Sequence, residues 1–370
     1  MLLAVAMVAL IAGIAVGGGD GDGGSAATQP EVAIGPEPDA VRQLTLRRQV
    51  GQMTVSSFDG PTVPPYIRRR LRAGETAGVI LFGRNGGPRA TWKRVTRTLQ
   101  RAAGGSALVA VDQEGGGVRT VPFAGPQAAQ PDQGTPDEIR SAARAAGRVL
   151  RATGVNVNLA PVADVASSSA SVMADRAFTG LPVEVSSRVD AAVRGLREGG
   201  VAATAKHFPG LGGATANTDD AEVSIGAVPS DLETRDLLPF RAAIAAHVPL
   251  VMLSHALYPA IDTAHIASQS PLIATDMLRH RLGFRGVAIT DSMEAEAVLA
   301  RSGVAEAAER SVEAGADLIL LTGSASWNDA FPRLLARARR DRSFRERVRR
   351  SAMRVLALKR SLHLMAPPER

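Results

Sequence analysis

The chain has 370 residues, of which 45% are hydrophobic and 21% charged, a balance typical of a globular protein with a large core. It contains no cysteine, which excludes disulfides, thiol catalysis, thiolate metal sites and lipid attachment through an N-terminal cysteine. The net charge is +7, but aromatic residues make up only 4%, which leaves few stacking platforms and disfavours a nucleic-acid-binding protein.

The N-terminal region differs in composition from the rest of the chain. Residues 2–16 are uninterrupted apolar or small, and glycine-rich, polar sequence follows to about residue 38. This pattern predicts a signal peptide or an N-terminal membrane anchor over residues 1–19 and a flexible tether over residues 20–38. Lys and Arg are missing from the start, and the run is slightly short for a membrane span, so a buried helix of the fold is a third interpretation. The first two place the body, residues 39–370, outside the cytoplasm, as an exported, cell-surface or extracellular protein.

Eight short apolar runs recur at fairly regular intervals in that body. They are predicted strands at Gln52–Phe58, Gly78–Phe82, Ala107–Val111, Val155–Leu159, Val201–Ala205, Leu250–Leu253, Val287–Thr290 and Asp317–Leu321. Helical segments rich in Ala, Arg and Glu lie between most of them, such as residues 136–153, 184–198 and 303–314. Strand and helix alternating eight times predicts parallel pairing, and the length favours a single (β/α)₈ TIM-type barrel as the catalytic domain. Ten arginines between 333 and 354 favour a solvated amphipathic helix, with attraction to an anionic cell-wall polymer as the alternative.

Polar residues recur at one end of the predicted strands. Glycine and alanine mostly occupy the other end, as at residues 77–78, 199–200 and 315–316. In a (β/α)₈ barrel, chemistry lies at the carboxyl ends of the strands. The residues at those ends are Arg84, Asn85, Asp112, Gln113, Glu114, Pro161, Asp164, Lys206, His207, Ser254, His255 and Asp291.

Lysine is rare in this chain, which makes Lys206 informative. Of 43 Lys and Arg residues, only Lys93, Lys206 and Lys359 are lysines. A tight hydrogen-bonding site prefers the compact ammonium group to the broad guanidinium fork, although chance is the alternative explanation. A Schiff-base aldolase built on Lys206 is a rival enzyme class.

Two acidic positions are candidates for chemistry. Asp291 directly follows an apolar run, where a carboxylate can act as nucleophile, base or metal ligand; its alternative role is to cap a helix over residues 292–299. Asp112 precedes the glycine run at 115–117, which lets the backbone approach a ligand closely. We favour a carboxylate that binds sugar hydroxyls at Asp112, with helix capping or arginine pairing as alternatives.

Residues 210–220 form a long polar loop after the fifth predicted strand. Its small residues predict mobility, which suits a loop that closes over substrate, and a plain flexible loop is the competing interpretation. It contains Asn217, Thr218, Asp219 and Asp220. The six histidines lack the spacing of a helical zinc site, so we expect hydrogen-bonding roles and no metal.

Several short motifs follow one another in order along the chain. They are Val111–Gly116, Asn158–Val165, Asp175–Phe178, Lys206–Gly210, Met252–Ala256, Tyr258–Ala260 and Leu282–Asp291. Taken together, these motifs resemble glycoside hydrolase family 3, specifically its single-domain bacterial β-N-acetylglucosaminidases. The resemblance runs from about Leu44 to the C-terminus.

The resemblance implies a retaining mechanism on terminal β-linked N-acetylglucosamine, with peptidoglycan-derived glycans as the expected source. It implies Asp291 as the nucleophile. It implies substrate-binding roles for Asp112, Arg176, Lys206, His207 and His255. We expect no cofactor, no metal and no nucleic-acid partner, a monomer, and a possible membrane tether at the N-terminus.

The chain departs from the family where the acid/base is expected. The family pattern continues Lys-His-Phe-Pro-Gly-His-Gly, then four residues, then Asp-Ser-His. Here Leu211 replaces the first histidine, and Asn217, Thr218 and Asp219 stand at the last three positions. Asp219 is the favoured acid/base and needs a pKa raised by burial. Asp220, after a small shift, or a weak or inactive barrel that binds glycan, are the alternatives.

Overall fold

The computed structural model describes residues 41–364, so the predicted signal or anchor and the tether lie outside the described residues. Its strands are β1 (Thr54–Ser56), β2 (Gly78–Ile80), β3 (Leu108–Val111), β4 (Gln113–Gly115), β5 (Val118–Arg119), β6 (Val157–Asn158), β7 (Ala202–Phe208), β8 (Leu250–Leu253), β9 (Leu257–Tyr258), β10 (Asp262–Ile266), β11 (Val287–Ser292) and β12 (Leu318–Leu320). Eight of them pair in parallel and close a barrel in the order β1-β12-β11-β8-β7-β6-β3-β2. The (β/α)₈ fold is therefore confirmed.

Helices surround this barrel. They are α1 (Leu46–Gly51), α2 (Pro65–Ala73), α3 (Arg89–Ala102), α4 (Pro136–Ala152), α5 (Pro182–Glu198), α6 (Leu237–Ala245), α7 (Glu296–Leu299), α8 (Val304–Ala314), α9 (Trp327–Arg340) and α10 (Arg342–Ser361). A π-helical turn at Leu232–Asp236 leads into α6, and a longer π-helical segment at Leu272–Arg281 precedes β11. Two antiparallel hairpins, β4–β5 and β9–β10, extend from the carboxyl ends of β3 and β8. No helix among residues 41–364 is both long and apolar enough to cross a membrane.

Aliphatic side chains fill the barrel interior. Val55, Ile80, Leu108, Val157, Leu250, Val287 and Leu318 belong to one buried cluster, to which Val355, Leu358 and Leu362 of the α10 region also belong. A continuous apolar strand suits a parallel sheet because both faces are covered, one by the barrel interior and the other by helices. This packing makes the barrel a solid core and leaves chemistry to its rim.

Most predicted strands are longer than the paired segments. The first run was expected at Gln52–Phe58, but β1 has three residues. Phe58 is buried beyond its end, whereas Met53, just before it, still accepts a backbone bond from Ile319 at 2.8 Å. The fifth strand differs in the other direction: β7 continues to Phe208, so Lys206 and His207 lie inside a buried strand and not at its solvent end. The prediction that these two residues follow the strand was therefore wrong.

The arginine-rich C-terminal region is only partly solvated. Asp317, just before β12, is fully buried and accepts hydrogen bonds from Arg347 and Arg354 of α10, both at 3.1 Å. Arg279 also pairs with it. The prediction of a solvated amphipathic helix was therefore wrong for Arg347 and Arg354. Together with Arg279 they tie α10 and the segment before β11 to the start of β12.

Candidate active site

A cavity of about 660 Å³ opens at the carboxyl ends of the barrel strands. This volume lies within the range of pockets that bind drug-sized ligands. Its polar lining includes Asp112, Glu114, Arg176, Lys206, His207, Asn217, Thr218, Asp219, Asp291, Ser292, Glu294 and Thr322. The structure thus brings together most of the residues that the sequence analysis singled out.

Lys206 is the centre of a chain of alternating charges. Its Nζ donates to Asp112 Oδ1 at 2.7 Å and lies 2.7 Å from Glu114 Oε1. Arg176 grips the same glutamate with two bonds, from Nη2 to Oε1 at 2.7 Å and from Nε to Oε2 at 3.0 Å. Such paired charges hold donors and acceptors in fixed directions, as the recognition of sugar hydroxyls requires.

The charges of this network keep Glu114 and Lys206 ionised. Burial opposes the negative charge of Glu114, but Lys206 and Arg176 lower the pKa of Glu114 to about 2. Burial likewise opposes the ammonium charge, yet Asp112 and Glu114 raise the pKa of Lys206 above its ordinary value. A permanently protonated lysine is a poor amine nucleophile, which argues against the Schiff-base aldolase.

His207 links this chain to the opposite side of the cavity. Its Nδ1 lies 2.8 Å from Asp164 Oδ2, and its backbone N–H donates to Asp164 Oδ1 at 3.1 Å. The buried Asp164 also accepts from the backbone N–H of Leu211 at 2.7 Å. This anchoring directs the other ring nitrogen, Nε2, to within 3.8 Å of Asp291 Oδ2.

Asp291 is the penultimate residue of β11, and its side chain is 20% exposed. The backbone N–H of Ser292 donates to Asp291 Oδ1 at 2.8 Å. Burial alone would raise the pKa of Asp291, but attraction to His207, then to His255 and Lys206, holds it below its ordinary value. An ionised carboxylate on the cavity wall is suited to nucleophilic attack.

The alternative role for Asp291, as a helix cap over residues 292–299, was wrong. Helix α7 begins only at Glu296, with Ala295 at its N-cap position. Ser292 is the last residue of β11, and residues 293–295 form a turn that leads away from the strand.

His255 does not line the cavity, so the structure does not bring it together with the other predicted substrate-binding residues. It is fully buried; its Nδ1 lies 2.8 Å from Ser268 Oγ and its Nε2 lies 2.9 Å from the carbonyl oxygen of Ser292. Burial lowers the pKa of His255, which favours a neutral ring. A neutral ring with Nε2–H donating to Ser292 supports the backbone next to Asp291.

The loop over residues 210–220 is held at several points. Its Gly212 and Ala214 carbonyls accept backbone bonds from Ser167 and Val172 at 2.9 and 3.0 Å. At its far end, the carbonyls of Thr218 and Asp219 accept bonds from the first turn of α7, both at 3.1 Å. The expected closing loop thus lies docked against the segment that follows Asp291.

The structure separates the two acidic residues of this loop. Asp219 lines the cavity together with Asn217 and Thr218, whereas Asp220 is exposed and does not line it. Asp219 is exposed as a whole residue, but partial burial at the cavity wall and the negative charge of Asp291 raise the pKa of its carboxyl group. A raised pKa is the property that an acid catalyst needs near neutral pH.

No three His, Asp or Glu side chains of residues 41–364 come together in an arrangement that would hold a metal ion.

Comparison with known proteins assigns the chain to a family. Residues 45–358 match the glycosyl hydrolase family 3 N-terminal domain. The chain belongs to glycosyl hydrolase family 3. A family 3 enzyme is a glycoside hydrolase, and the carboxylates on the cavity wall fit that chemistry.

Named relatives support the same assignment. A β-hexosaminidase from Xanthomonas oryzae pv. oryzae is 33% identical over 279 residues, which cover 73% of this chain and 83% of that protein. An uncharacterized secreted glycosyl hydrolase of Arthroderma benhamiae is 33% identical over 292 residues, covering 76% of this chain and 83% of that one.

Solved family 3 structures share the fold. A β-N-acetylglucosaminidase from Paenibacillus superposes with a TM-score of 0.82 at 35% identity over 86% of this chain; the chain spans 63% of that longer protein. A β-N-acetylhexosaminidase from Beutenbergia cavernae superposes with a TM-score of 0.78 at 35% identity, covering 85% of this chain and 98% of that one.

Three residues of this family 3 site were missed as site residues. Glu114 and Asp164 had been noted only as polar residues beyond strands, and Glu294 had not been noted at all. For Glu114, a signal was present, because it stands two residues after Asp112 and alternation puts both side chains on one face. For Asp164 and Glu294, the partners come from distant segments, which no local pattern reveals.

Proposed function

We propose that this family 3 glycoside hydrolase removes terminal non-reducing β-linked N-acetylglucosamine by a retaining mechanism. The observation that carries the proposal is the facing arrangement of an ionised Asp291 and a polar cradle of Asp112, Lys206 and Arg176. The cradle suits the hydroxyls of one terminal sugar, and the relatives named as β-hexosaminidases support the choice of amino sugar. Peptidoglycan-derived glycans are the proposed source.

In the proposed first step, one oxygen of Asp291 attacks the anomeric carbon and forms a glycosyl ester. The glycosidic C–O bond breaks with its electron pair going to the leaving oxygen, which takes a proton from Asp219. In the second step, water loses a proton to the Asp219 carboxylate and attacks the same carbon, which frees Asp291. Two displacements restore the β configuration.

Asp219 suits this acid/base role for two reasons. Its carboxyl pKa is raised, while that of Asp291 is lowered, so the pair divides into one acid and one nucleophile. Its backbone is also tied to α7, which follows directly from the turn after the nucleophile.

The test uses the described barrel in its full chain. Wild type should cleave aryl β-N-acetylglucosaminide much faster than aryl β-glucoside, with the β anomer as first product by NMR. A 5-fluoro N-acetylglucosaminyl fluoride, which keeps the acetamido group, should label Asp291 in the mapped peptide. An α product, or a label elsewhere, would contradict the mechanism.

A second candidate function is a catalytically weak barrel that binds glycan. The observation in its favour is that the loop has no histidine between residues 210 and 220. Binding of N-acetylglucosamine by calorimetry, with no turnover of any aryl substrate, would support this candidate over the hydrolase.

We also propose that the protein is exported and works at the cell surface or outside the cell. The apolar run at residues 2–16 supports this location, and one relative is named a secreted hydrolase. Fractionation of cells that express the full chain, with N-terminal sequencing of the product, distinguishes cleavage from anchoring.

A further inference from the structure

A closed ring of hydrogen bonds lies directly behind the proposed nucleophile. The N–H of Glu294 donates to Ser292 Oγ at 3.3 Å, Ser292 Oγ lies 2.6 Å from Thr322 Oγ1, and Thr322 Oγ1 donates to Glu294 Oε2 at 2.7 Å. We call this the Ser292–Thr322–Glu294 ring. It joins the turn after β11 to the residues that follow β12.

Glu294 Oε2 is the common acceptor of this ring. A backbone N–H only donates and an ionised carboxylate only accepts, whereas each hydroxyl can do both. Ser292 Oγ also lies 3.2 Å from Glu294 Oε2, so each of the two hydroxyls is within hydrogen-bond distance of the carboxylate and either can donate across the Ser292–Thr322 contact. The backbone N–H of Thr322 adds a further bond to the same Glu294 oxygen at 2.8 Å.

Glu294 lines the cavity, but its two carboxylate oxygens are hydrogen-bonded or covered. Its Oε2 is occupied by these bonds, and its Oε1 is buried with no hydrogen-bond partner in the described part of the chain. A methyl group added at Gly323 would lie 3.1 Å from Oε1, which shows how closely the backbone covers that oxygen. The carboxylate is therefore suited to hold its neighbours in place.

The ring acts on Asp291 through Ser292. Its hydroxyl is held by the ring, and its carbonyl oxygen accepts from His255 Nε2 at 2.9 Å. Between these two restraints, its N–H donates to Asp291 Oδ1 at 2.8 Å. Oδ2 is the other oxygen, and it faces His207 Nε2 at 3.8 Å.

We propose that Glu294 is a positioning residue: through this ring it holds the Ser292 N–H against Asp291 and so leaves one oxygen of that carboxylate free to attack. The role rests on the proposed function, since it serves Asp291 as nucleophile. The sugar cradle of Asp112 and Lys206 lies on other segments of the chain. Losing the ring should therefore lower turnover and leave substrate affinity unchanged.

The cleanest variant is Thr322→Val, which removes the Thr322 hydroxyl from the ring without changing volume much or charge at all. Only the longer direct contact of Ser292 Oγ with Glu294 Oε2, at 3.2 Å, is left. We expect kcat on aryl β-N-acetylglucosaminide to fall about tenfold or more, with KM within about twofold, because a misplaced reacting group costs mainly turnover. Thr322→Ser keeps the hydroxyl and should restore kcat to within about twofold of wild type.

Glu294→Gln should give a similar loss, and the double variant with Thr322→Val should add little, since both break one unit. Glu313→Gln, an exposed glutamate of α8 remote from the cavity, is the matched control and should behave as wild type. A rise in KM at constant kcat in Thr322→Val would overturn the proposal, because it would place the ring in sugar binding.

A titration tests the same claim without turnover. The pKa of Asp291 can be measured by ¹³C-carboxyl NMR. It should rise in Thr322→Val, because Asp291 loses its hydrogen bond from the Ser292 N–H, and it should match wild type in Thr322→Ser. The ionisable groups acting on Asp291 are His207, His255, Lys206, Arg176 and Asp219, and none is altered.

An unchanged Asp291 titration in Thr322→Val would overturn the positioning role even if wild type is active. If wild type cleaves no substrate, the proposed function fails, and the titration alone still decides whether the ring positions the carboxylate. Melting temperatures of all variants show that the losses do not come from unfolding.

Discussion

Asp219 and Asp291 lie close enough for the charge of Asp291 to raise the pKa of Asp219. The histidines and Lys206 act on Asp291 in the opposite direction and lower its pKa. Environments that push two carboxyl groups apart mark the acid and the nucleophile of a glycosidase. Removal of the acid should therefore affect substrates according to how much their leaving groups need a proton.

We expect Asp219→Ala to lower kcat/KM about 10²- to 10⁴-fold for a poor leaving group such as a sugar, the usual share of general acid catalysis. A dinitrophenyl leaving group needs no proton, so the fall in kcat/KM for such a substrate should be much smaller. The wild-type rate should fall as pH rises through the raised pKa of Asp219, and this alkaline limb should vanish in the variant.

Asp220→Ala is the control for Asp219→Ala, because it lies on the same loop but not on the cavity wall. An equal loss for all leaving groups in Asp219→Ala would contradict the acid role and favour a residue that only shapes the loop.

Glu114 is the shared acceptor of two cations, and its loss should be felt in both binding and stability. Glu114→Gln leaves the buried Lys206 and the half-buried Arg176 with one fewer negative charge beside them. Breaking a buried pair in this way costs about 3–5 kcal/mol of the free energy of unfolding. We expect a lower melting temperature and a KM for aryl N-acetylglucosaminide raised about tenfold or more. An unchanged KM would remove Glu114 from the sugar cradle.

At the residue scale, the sequence revealed groups that follow strands but not their partners. Lys206, His207, Asp112 and Asp291 were predictable, because each ends an apolar run and barrel chemistry lies there. Asp164 acts through two backbone N–H groups and one imidazole from β7 and the loop after it, a contact that only the folded chain creates.

At the scale of elements, the loop over residues 210–220 follows β7 and is hydrogen-bonded to α7, the helix after β11. Its docking depends on a close approach at Gly212, where an added methyl group would lie 1.8 Å from the carbonyl oxygen of Val165. No side chain fits there without movement of the backbone. The next glycine, Gly213, would place its methyl 3.6 Å from Ile225, an ordinary contact.

We therefore expect Gly212→Ala to displace the loop and lower kcat/KM for aryl N-acetylglucosaminide about tenfold or more, since small displacements of a catalytic group are costly. Gly213→Ala should stay within about twofold of wild type on the same substrate. Steady-state kinetics on both variants make the comparison, and an equal effect at the two glycines would show that docking at Val165 does not position Asp219.

The number of barrel strands could be read from the sequence, but strand ends could not. Leu81, Leu159 and Leu321 lie just past the ends of β2, β6 and β12, yet each is buried and its backbone N–H still donates to a neighbouring strand, at 2.8, 2.8 and 3.0 Å. Where the regular ladder ends depends on how neighbouring strands are staggered around the barrel, which an apolar run does not show. β7 was predicted too short for another reason: Lys206 and His207 are polar, but their charged partners allow them inside the strand.

For the molecule as a whole, α10 closes the end of the barrel opposite the cavity. Leu358 packs with the barrel interior, and Lys359 beside it is 3% exposed. Lys359 donates to Gln52 Oε1 at 2.7 Å, a neutral acceptor near the start of β1. The low lysine count drew attention to Lys206 only, because a helix at the C-terminus gave no sign of packing under the barrel.

Lys359 should make stability depend on pH. Burial lowers the pKa of Lys359 from 10.5 to about 7, so the folded protein releases a proton that the unfolded chain still holds. Stability contributed by this group is therefore lowest below pH 7 and rises between about pH 7 and 10.5. The cost of burying the charge is on the order of a few kcal/mol, at about 1.4 kcal/mol for each unit of pKa shift.

Lys359→Met removes that charge and keeps a long apolar side chain, although Gln52 loses its donor at a cost of about 1–3 kcal/mol. We expect the variant to gain free energy of unfolding relative to wild type below pH 7, and the difference to shrink steadily as pH rises to 10. Urea unfolding at pH 6, 8 and 10 measures it, with Lys93→Met, at an exposed position of α3, as the control. If the difference in free energy of unfolding between the variant and wild type is constant with pH, Lys359 keeps its proton in the folded barrel. The contact with Gln52 would then be enough to hold a charged ammonium group in the buried position.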